Sequence, residues 1–231
     1  MIVTARAEQL ARNWTQAKTD VQLACEQANR TFADVTIIAV TKTWPAVDVD
    51  TLAECGVTDV GENRDQEAAA KHQQVRDSNL TWHAIGQVQT NKVKSIVQWA
   101  DVIHSVDRLD LVRALAKVMP SREKPLGVFI QLNLDPEVRE ERGGLRGDNL
   151  LALAEAITDV PGLQVRGVMG VAPLVGEPEA AFASLQESAT RLQTQFPQAC
   201  DISAGMSGDY KIALKYGATH LRLGSLILGN R

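Results

Sequence analysis

The chain has 231 residues, 45% of them hydrophobic, which is enough to bury a large core and fits either two small domains or one α/β barrel. A formal net charge of −4 without any dense Lys/Arg run excludes the electrostatic footprint of a nucleic-acid or anionic-membrane binder, and no segment approaches the roughly 20 apolar residues of a bilayer-crossing helix. Cys25, Cys55 and Cys200, an odd number without close pairing, fit small packing residues in a reducing compartment, so a soluble cytoplasmic protein is expected.

The N-terminus carries no continuous apolar stretch of the kind that begins a secretory signal. Instead Ala7, Leu10, Ala11, Trp14, Ala17, Val21 and Ala24 recur at mixed three- and four-residue spacing, which predicts a long amphipathic helix over residues 1–30. Short β-branched runs then begin at Thr36, Val57, Leu80, Asp101, Leu126, Gln164, Cys200 and Thr219. Helical stretches lie between them, at residues 47–56, 65–76, 91–100, 107–119, 148–158, 177–196 and 209–217. Strict strand-to-helix alternation calls for a parallel sheet covered by helices, because parallel neighbours need a crossover. Eight strands close into a (β/α)8 barrel. A doubly wound open sheet usually has a glycine-rich first turn, whereas the first turn here is KTWPAVD. The expectation is therefore a single α/β domain over 1–231, a (β/α)8 TIM barrel from residue 36 onward with an extra N-terminal helix. The polar stretch DPEVREERGGLRG, Asp135–Gly147, is read as a mobile surface flap.

In such barrels the working residues sit at the C-terminal ends of the strands. Those positions are unusually polar here: Lys42 after the first strand, Glu62 and Asn63 after the second, His83, Gln89, Asn91 and Lys92 in or after the third. Met169 lies in the sixth, Met206 and Ser207 end the seventh, and Arg222, Gly224 and Ser225 occupy the eighth. SAGMSGD and LRLGSLILG place small residues and hydroxyls before new helical or turn segments, so together they describe a phosphate cup, although each alone could be an ordinary tight turn. A lysine at a strand rim opposite that cup is expected to be partly desolvated, which disfavours its charged form and leaves neutral amine to form a Schiff base with a phosphorylated aldehyde. His72, His83, His104 and His220 show no paired ligand spacing, so no metal is expected. KHQQVR and NKVKS read as solvated helix faces, with Asn91 and Lys92 within reach of a ligand, and Trp14, Trp82 and Trp99 read as packing residues.

The segments AVTKTWP, DVGENRDQE, WHAIGQVQTNK, GVMGVAP, SAGMSGDY and GATHLRLGSLILG resemble, in order and spacing, the pyridoxal phosphate homeostasis protein family. The resemblance implies a fold-type III barrel like the N-terminal domain of alanine racemase, with pyridoxal 5′-phosphate (PLP) held as a Schiff base on Lys42. By the matching motifs, Asn63 contacts the cofactor near its ring, and His83, Met169 and Met206 line the pocket. Ser207, Gly224 and Ser225 hold the phosphate, and Arg222 approaches the pyridine nitrogen. A histidine in a strand is also a common satisfied core residue, and Asn63 could instead cap the following helix. Arg64 stands where the family often has an aromatic residue, which alters the pocket rim.

The implied function is vitamin B6 and amino-acid or keto-acid balance, with PLP-requiring apo-enzymes as recipients, a monomeric state and no catalysis. Racemases of this fold draw a second acid/base from an additional domain, and this chain stops soon after Ser225. A weakly racemase-like PLP enzyme and a lysine-dependent aldolase or phosphosugar-binding barrel are the alternatives.

Overall fold

The protein, a computed structural model, is described over residues 5–77, 79–119, 124–135, 143–146, 149–173 and 176–230. Eight parallel strands close into a barrel in sequential order: β1 (Thr36–Val40), β2 (Asp59–Glu62), β3 (Thr81–Ala84), β4 (Val102–Val106), β5 (Leu126–Gln131), β6 (Leu163–Met169), β7 (Asp201–Met206) and β8 (His220–Leu223). The crossovers are α2 (Ala46–Glu54), α3 (Asp65–Gln74), α4 (Val93–Trp99), α5 (Leu109–Ala116), α6 (Leu150–Thr158), α7 (Pro178–Gln193) and α8 (Tyr210–Lys215). They fall where the alternation predicts, with trimmed ends. The α/β barrel class expected from the sequence is therefore the observed one.

A barrel of this kind needs a helix outside each interval, yet the element after β8 is only a short turn of helix, α9 (Ser225–Leu228). The N-terminal helix α1 (Ala5–Gln27) packs against α2, α8 and α9 and covers that side of the barrel. Its buried stripe, Leu10, Trp14, Ala17, Val21, Ala24 and Cys25, joins the main core with Ile37 and Ala39 of β1 and Leu221 and Leu223 of β8. Each fully buried Leu or Ile in that layer contributes roughly 1.5–3 kcal/mol, so the ring of helices is held mainly by apolar contact.

The inside of the barrel is different. Its apolar filling is a small separate cluster of Val102, Phe129 and Met169, and beside it lie His83, His104, Ser203, His220 and Arg222, all buried. The rings of His83, His104, Phe129 and His220 meet across the interior at centroid distances of 4.5–6.4 Å.

Two local expectations are corrected. Lys71, read as part of a solvated helix face, is 5% exposed and turned inward on α3. Cys200, read as a packing residue, is exposed. Of the expected flap Asp135–Gly147, residues 136–142 and 147 lie outside the described residues, while Leu145 forms a parallel bridge to Leu132 at the end of β5. Among the described residues no helix is long and apolar enough to cross a membrane.

Candidate functional site

Closure of the barrel makes neighbours of residues that the sequence separates widely. Because β8 pairs with β1, Ile38 lies opposite Arg222 and Ala39 opposite Leu223; on the other side Val40 lies opposite Gly61 of β2. Arg222 in turn lies opposite Met206 of β7. Lys42, Asn63, Met206, Ser207, Arg222, Gly224 and Ser225 thus belong to the C-terminal ends of four consecutive strands, β7, β8, β1 and β2, spaced about 5 Å apart. Lys42, expected to be partly desolvated and across the mouth from the cup, is instead exposed, in the turn two residues beyond Val40 on the strand next to β8. Val40 itself abuts Gly224: a Cβ built on that glycine would sit 3.6 Å from Val40 Cβ.

The turn that presents Lys42 is tied down on both flanks. Thr41, before it, is fully buried; its hydroxyl donates to Glu62 Oε1 at 2.6 Å and its carbonyl accepts from Lys71 Nζ at 2.8 Å. Thr43, after it, adopts a left-handed φ of 68°, uncommon for a β-branched residue, and its backbone N–H donates to Glu67 Oε1. Lys71 Nζ completes the clamp with Glu62 Oε1 at 2.6 Å and Glu67 Oε1 at 3.1 Å. Burial pushes the Glu62 carboxyl up, outweighing the opposing pull of Lys71 and Thr41. This network was missed from sequence. Its one visible signal was the i,i+4 pair Glu67 and Lys71, which normally marks a solvated face.

The proposed phosphate cup has a physical cradle. A Cβ on Gly208 would meet nothing within 4 Å, and one on Gly224, whose φ is −109°, would make only ordinary contacts. Neither packing within the chain nor backbone conformation requires glycine at these positions: the space beside Gly208 is open, and a side chain at Gly224 would stand in ordinary contact with Val40. The helices that start there, α8 and α9, have Asp209 and Gly224 as N-caps with no side-chain capping bond, and the first N–H groups of a helix have no intrahelical acceptor. Asp209 uses Oδ1 to accept from the Met206 N–H at 2.6 Å instead. An open cradle, unsatisfied N–H donors and a nearby amine fit a phosphorylated aldehyde.

The remaining expected residues lie deeper. Arg222 is 5% exposed; it donates from Nη1 to Ser203 Oγ and from Nη2 to the Gly170 carbonyl at 3.0 Å. Burial pushes it down to about 10, with Asp209 opposing, so it remains a cation at neutral pH. Met169 packs with Val102 and Phe129 inside the barrel. His83, expected to line the pocket, is 2% exposed with both ring nitrogens engaged: Nε2 lies 2.9 Å from Asp59 Oδ1, at the opposite end of the barrel, and Nδ1 lies 2.8 Å from His104 Nε2. It is a satisfied interior residue, with no ring nitrogen free for a ligand. Asn63 is exposed at the end of β2 and is not a cap, since the N-cap of α3 is Arg64. Gly86 packs so closely under Asn63 that a Cβ would stand 2.1 Å from its carbonyl oxygen, which sets the turn after β3.

A cavity of about 520 Å³ opens beside this mouth, between the turns after β2 and β3. Asn63, Arg64, Gln87, Gln89, Lys92 and Trp99 line it, whereas Lys42, Ser207 and Arg222 do not. It lies to one side of the lysine and the cradle.

The sequence profile of the alanine racemase N-terminal domain matches residues 8–231. A pyridoxal phosphate homeostasis protein of Corynebacterium glutamicum is 40% identical over 223 residues, covering 94% of this chain and 98% of that one. The chain belongs to the pyridoxal phosphate homeostasis protein family. The Mycobacterium leprae member of that family is 34% identical, over 97% of this chain and 93% of its own. Among solved structures, PipY of Synechococcus elongatus PCC7942 with PLP bound matches with a TM-score of 0.82 at 32% identity, over 96% of this chain and 100% of that one. The family expected from the quoted motifs is the family found.

Proposed function

We propose that the chain holds PLP at the C-terminal mouth of its barrel and serves vitamin B6 and amino-acid or keto-acid balance, as a carrier or regulator and not as an enzyme. The observation that carries this reading is the convergence of an exposed lysine and two uncapped, glycine-bearing helix starts on the adjacent strands β7, β8 and β1. The PLP bound to PipY, a relative of nearly the same extent, supports it. Bound PLP supplies an electrophilic aldehyde on an electron-withdrawing ring. Lys42 would be the amine that ties the aldehyde, and Ser207, Gly224 and Ser225 would take the phosphate with hydroxyl and backbone N–H donors. Arg222 would lie toward the ring nitrogen, with Asn63 and Met206 at the rim.

Arg222 also favours the non-catalytic role. A guanidinium only donates hydrogen bonds, so a ring nitrogen beside it stays unprotonated and withdraws electrons weakly. Chemistry that needs a stabilised carbanion is then disfavoured, while retention and release of the cofactor to apo-enzymes are not.

The test is an absorbance spectrum of the purified protein with and without PLP, followed by borohydride reduction and peptide mass mapping. A visible band and a reduced adduct on Lys42 are expected, with both lost in Lys42→Ala. An adduct elsewhere in the wild type removes Lys42 from its role. Robust Lys42-dependent turnover of an amino acid makes the chain an enzyme. A colourless protein that ignores PLP yet traps a sugar phosphate on Lys42 points to an aldolase.

A further inference from the structure

Barrels of this class fill their interior with layers of Val, Ile and Leu. Here a line of polar side chains crosses the interior instead. From the mouth downward it runs Arg222 of β8, Ser203 of β7, His104 of β4, His83 of β3 and Asp59 at the start of β2. Ser203 Oγ lies 2.8 Å from His104 Nδ1, His104 Nε2 lies 2.8 Å from His83 Nδ1, and His83 Nε2 lies 2.9 Å from Asp59 Oδ1.

The donor and acceptor inventory gives this line one direction. Arg222 can only donate, so Ser203 Oγ accepts from it and must place its own proton elsewhere. His104 Nδ1 is the acceptor within reach, which leaves the His104 proton on Nε2, facing His83 Nδ1. His83 then carries its proton on Nε2, facing Asp59. Every donor meets an acceptor, with a guanidinium at one end and a carboxylate at the other. The opposite order strands the Ser203 proton, because its oxygen has no other partner among the described residues, and it requires two protons on His83. Deep burial, with His83 and Arg222 adding to it, holds His104 well below the ordinary imidazole range, consistent with one proton on that ring. Burial pushes Asp59 up, but hydrogen bonds from His83 and Thr58 outweigh it and keep the carboxyl below its usual range.

Arg222 is a buried cation whose hydrogen bonds go to a hydroxyl and a carbonyl, and no carboxylate touches it among the described residues. Beside the through-space pull of Asp209, its compensation is relayed by hydrogen bonds polarised in series toward Asp59. We propose that Asp59, His83, His104 and Ser203 are positioning residues that fix the orientation and charge environment of the Arg222 guanidinium, and through it the ring nitrogen of the bound cofactor. The proposal rests on the PLP reading above.

The experiment compares PLP binding and the visible spectrum of the loaded wild type with Ser203→Ala, Ser203→Thr, His104→Phe and His220→Phe. His220 is the control: it is buried and packs against the same rings, but it bonds Thr219 and stands outside the line. Ser203→Ala and His104→Phe are expected to raise the PLP dissociation constant roughly tenfold and to move the visible band, since a hydrogen bond to a charged group is lost or unsupported. Ser203→Thr, which keeps the hydroxyl, is expected to restore both, and His220→Phe to change neither. Wild-type affinity and spectrum in Ser203→Ala and His104→Phe overturn the proposal alone, as does an equal change in His220→Phe. A wild type that takes up no PLP overturns the cofactor reading and the proposal with it. Nitrogen-15 spectra of the histidine side chains give a readout without cofactor: protons on Nε2 of His83 and His104 are expected, and a proton on His104 Nδ1 reverses the line and overturns it.

Discussion

Lys71 shows how much one side chain contributes to presenting another. Its ammonium is buried between Glu62 and Glu67 and also donates to the Thr41 carbonyl, the backbone group immediately before Lys42. Breaking a buried ion pair by removing one partner leaves an uncompensated charge and costs about 3–5 kcal/mol, whereas replacing both partners with neutral groups of similar size is far less damaging. The Glu62 oxygen Oε2 already has no hydrogen-bond partner among the described residues, so this carboxylate has little reserve. Lys71→Met is therefore expected to lower the stability measured by urea denaturation by about 3 kcal/mol. The double variant Glu62→Gln/Lys71→Met should recover most of that loss. If the double variant is no more stable than the single one, packing of the lysine stem, and not its charge, is what matters.

At the scale of the element, α1 both covers the barrel and links the two halves of the site. Arg6, in its first turn, donates to Asp48 Oδ2 at 2.7 and 3.1 Å and to the Leu228 carbonyl at 3.1 Å, and its guanidinium stacks 4.3 Å from the centre of the Trp44 ring. Trp44 and Asp48 follow Lys42 into α2, and Leu228 ends α9, the helix that begins at Ser225. One residue of α1 therefore fastens the turn of Lys42 to the helix that begins at Ser225. Asn13 adds a bond to the Ile227 carbonyl at 2.9 Å. Arg6→Ala leaves the buried Asp48 carboxylate with less compensation and is expected to cost about 1–3 kcal/mol. It should also weaken PLP binding while leaving the borohydride adduct on Lys42. A variant that loses stability with unchanged PLP affinity would show that α1 serves only as a cover.

For the molecule as a whole, the polar interior makes stability depend on pH. His104 and His220 are both held below the ordinary value of 6.5, in each case chiefly by burial. His220 is pushed down to about 4, with His83 and Arg166 adding to the effect and Asp201 and Asp59 opposing it. Between those values the unfolded chain binds protons that the folded chain excludes, so stability is full above about pH 6.5 and is lost as the pH falls toward 4. His220 alone accounts for on the order of 3 kcal/mol across that window. Urea midpoints measured from pH 8 to pH 4.5 should fall steadily, and His220→Phe should flatten the fall. An unchanged slope in that variant would locate the acid sensitivity in other groups.

The alternation of β-branched runs with helical stretches, each at its own period, was local information, and it sufficed for eight strands, seven crossover helices, the leading helix and the barrel class. The motifs around Lys42, Asn63, Ser207 and Gly224 were legible for the same reason, since a turn at a strand end is written in adjacent residues. Direction and depth were not legible. Lys71 looked solvated because a lysine in an i,i+4 pair usually is, and only the packing of α3 on the first two strands turns it inward. His83 looked like a pocket residue until its register opposite Gly61 put it inside the barrel, with Asp59 on one side and His104 on the other. Closure of β8 onto β1 brings Val40, two residues before Lys42, against Gly224. Such contacts depend on a ring of pairings that holds only when all eight strands are in place, so the chain's order names the parts while three-dimensional closure decides which of them touch.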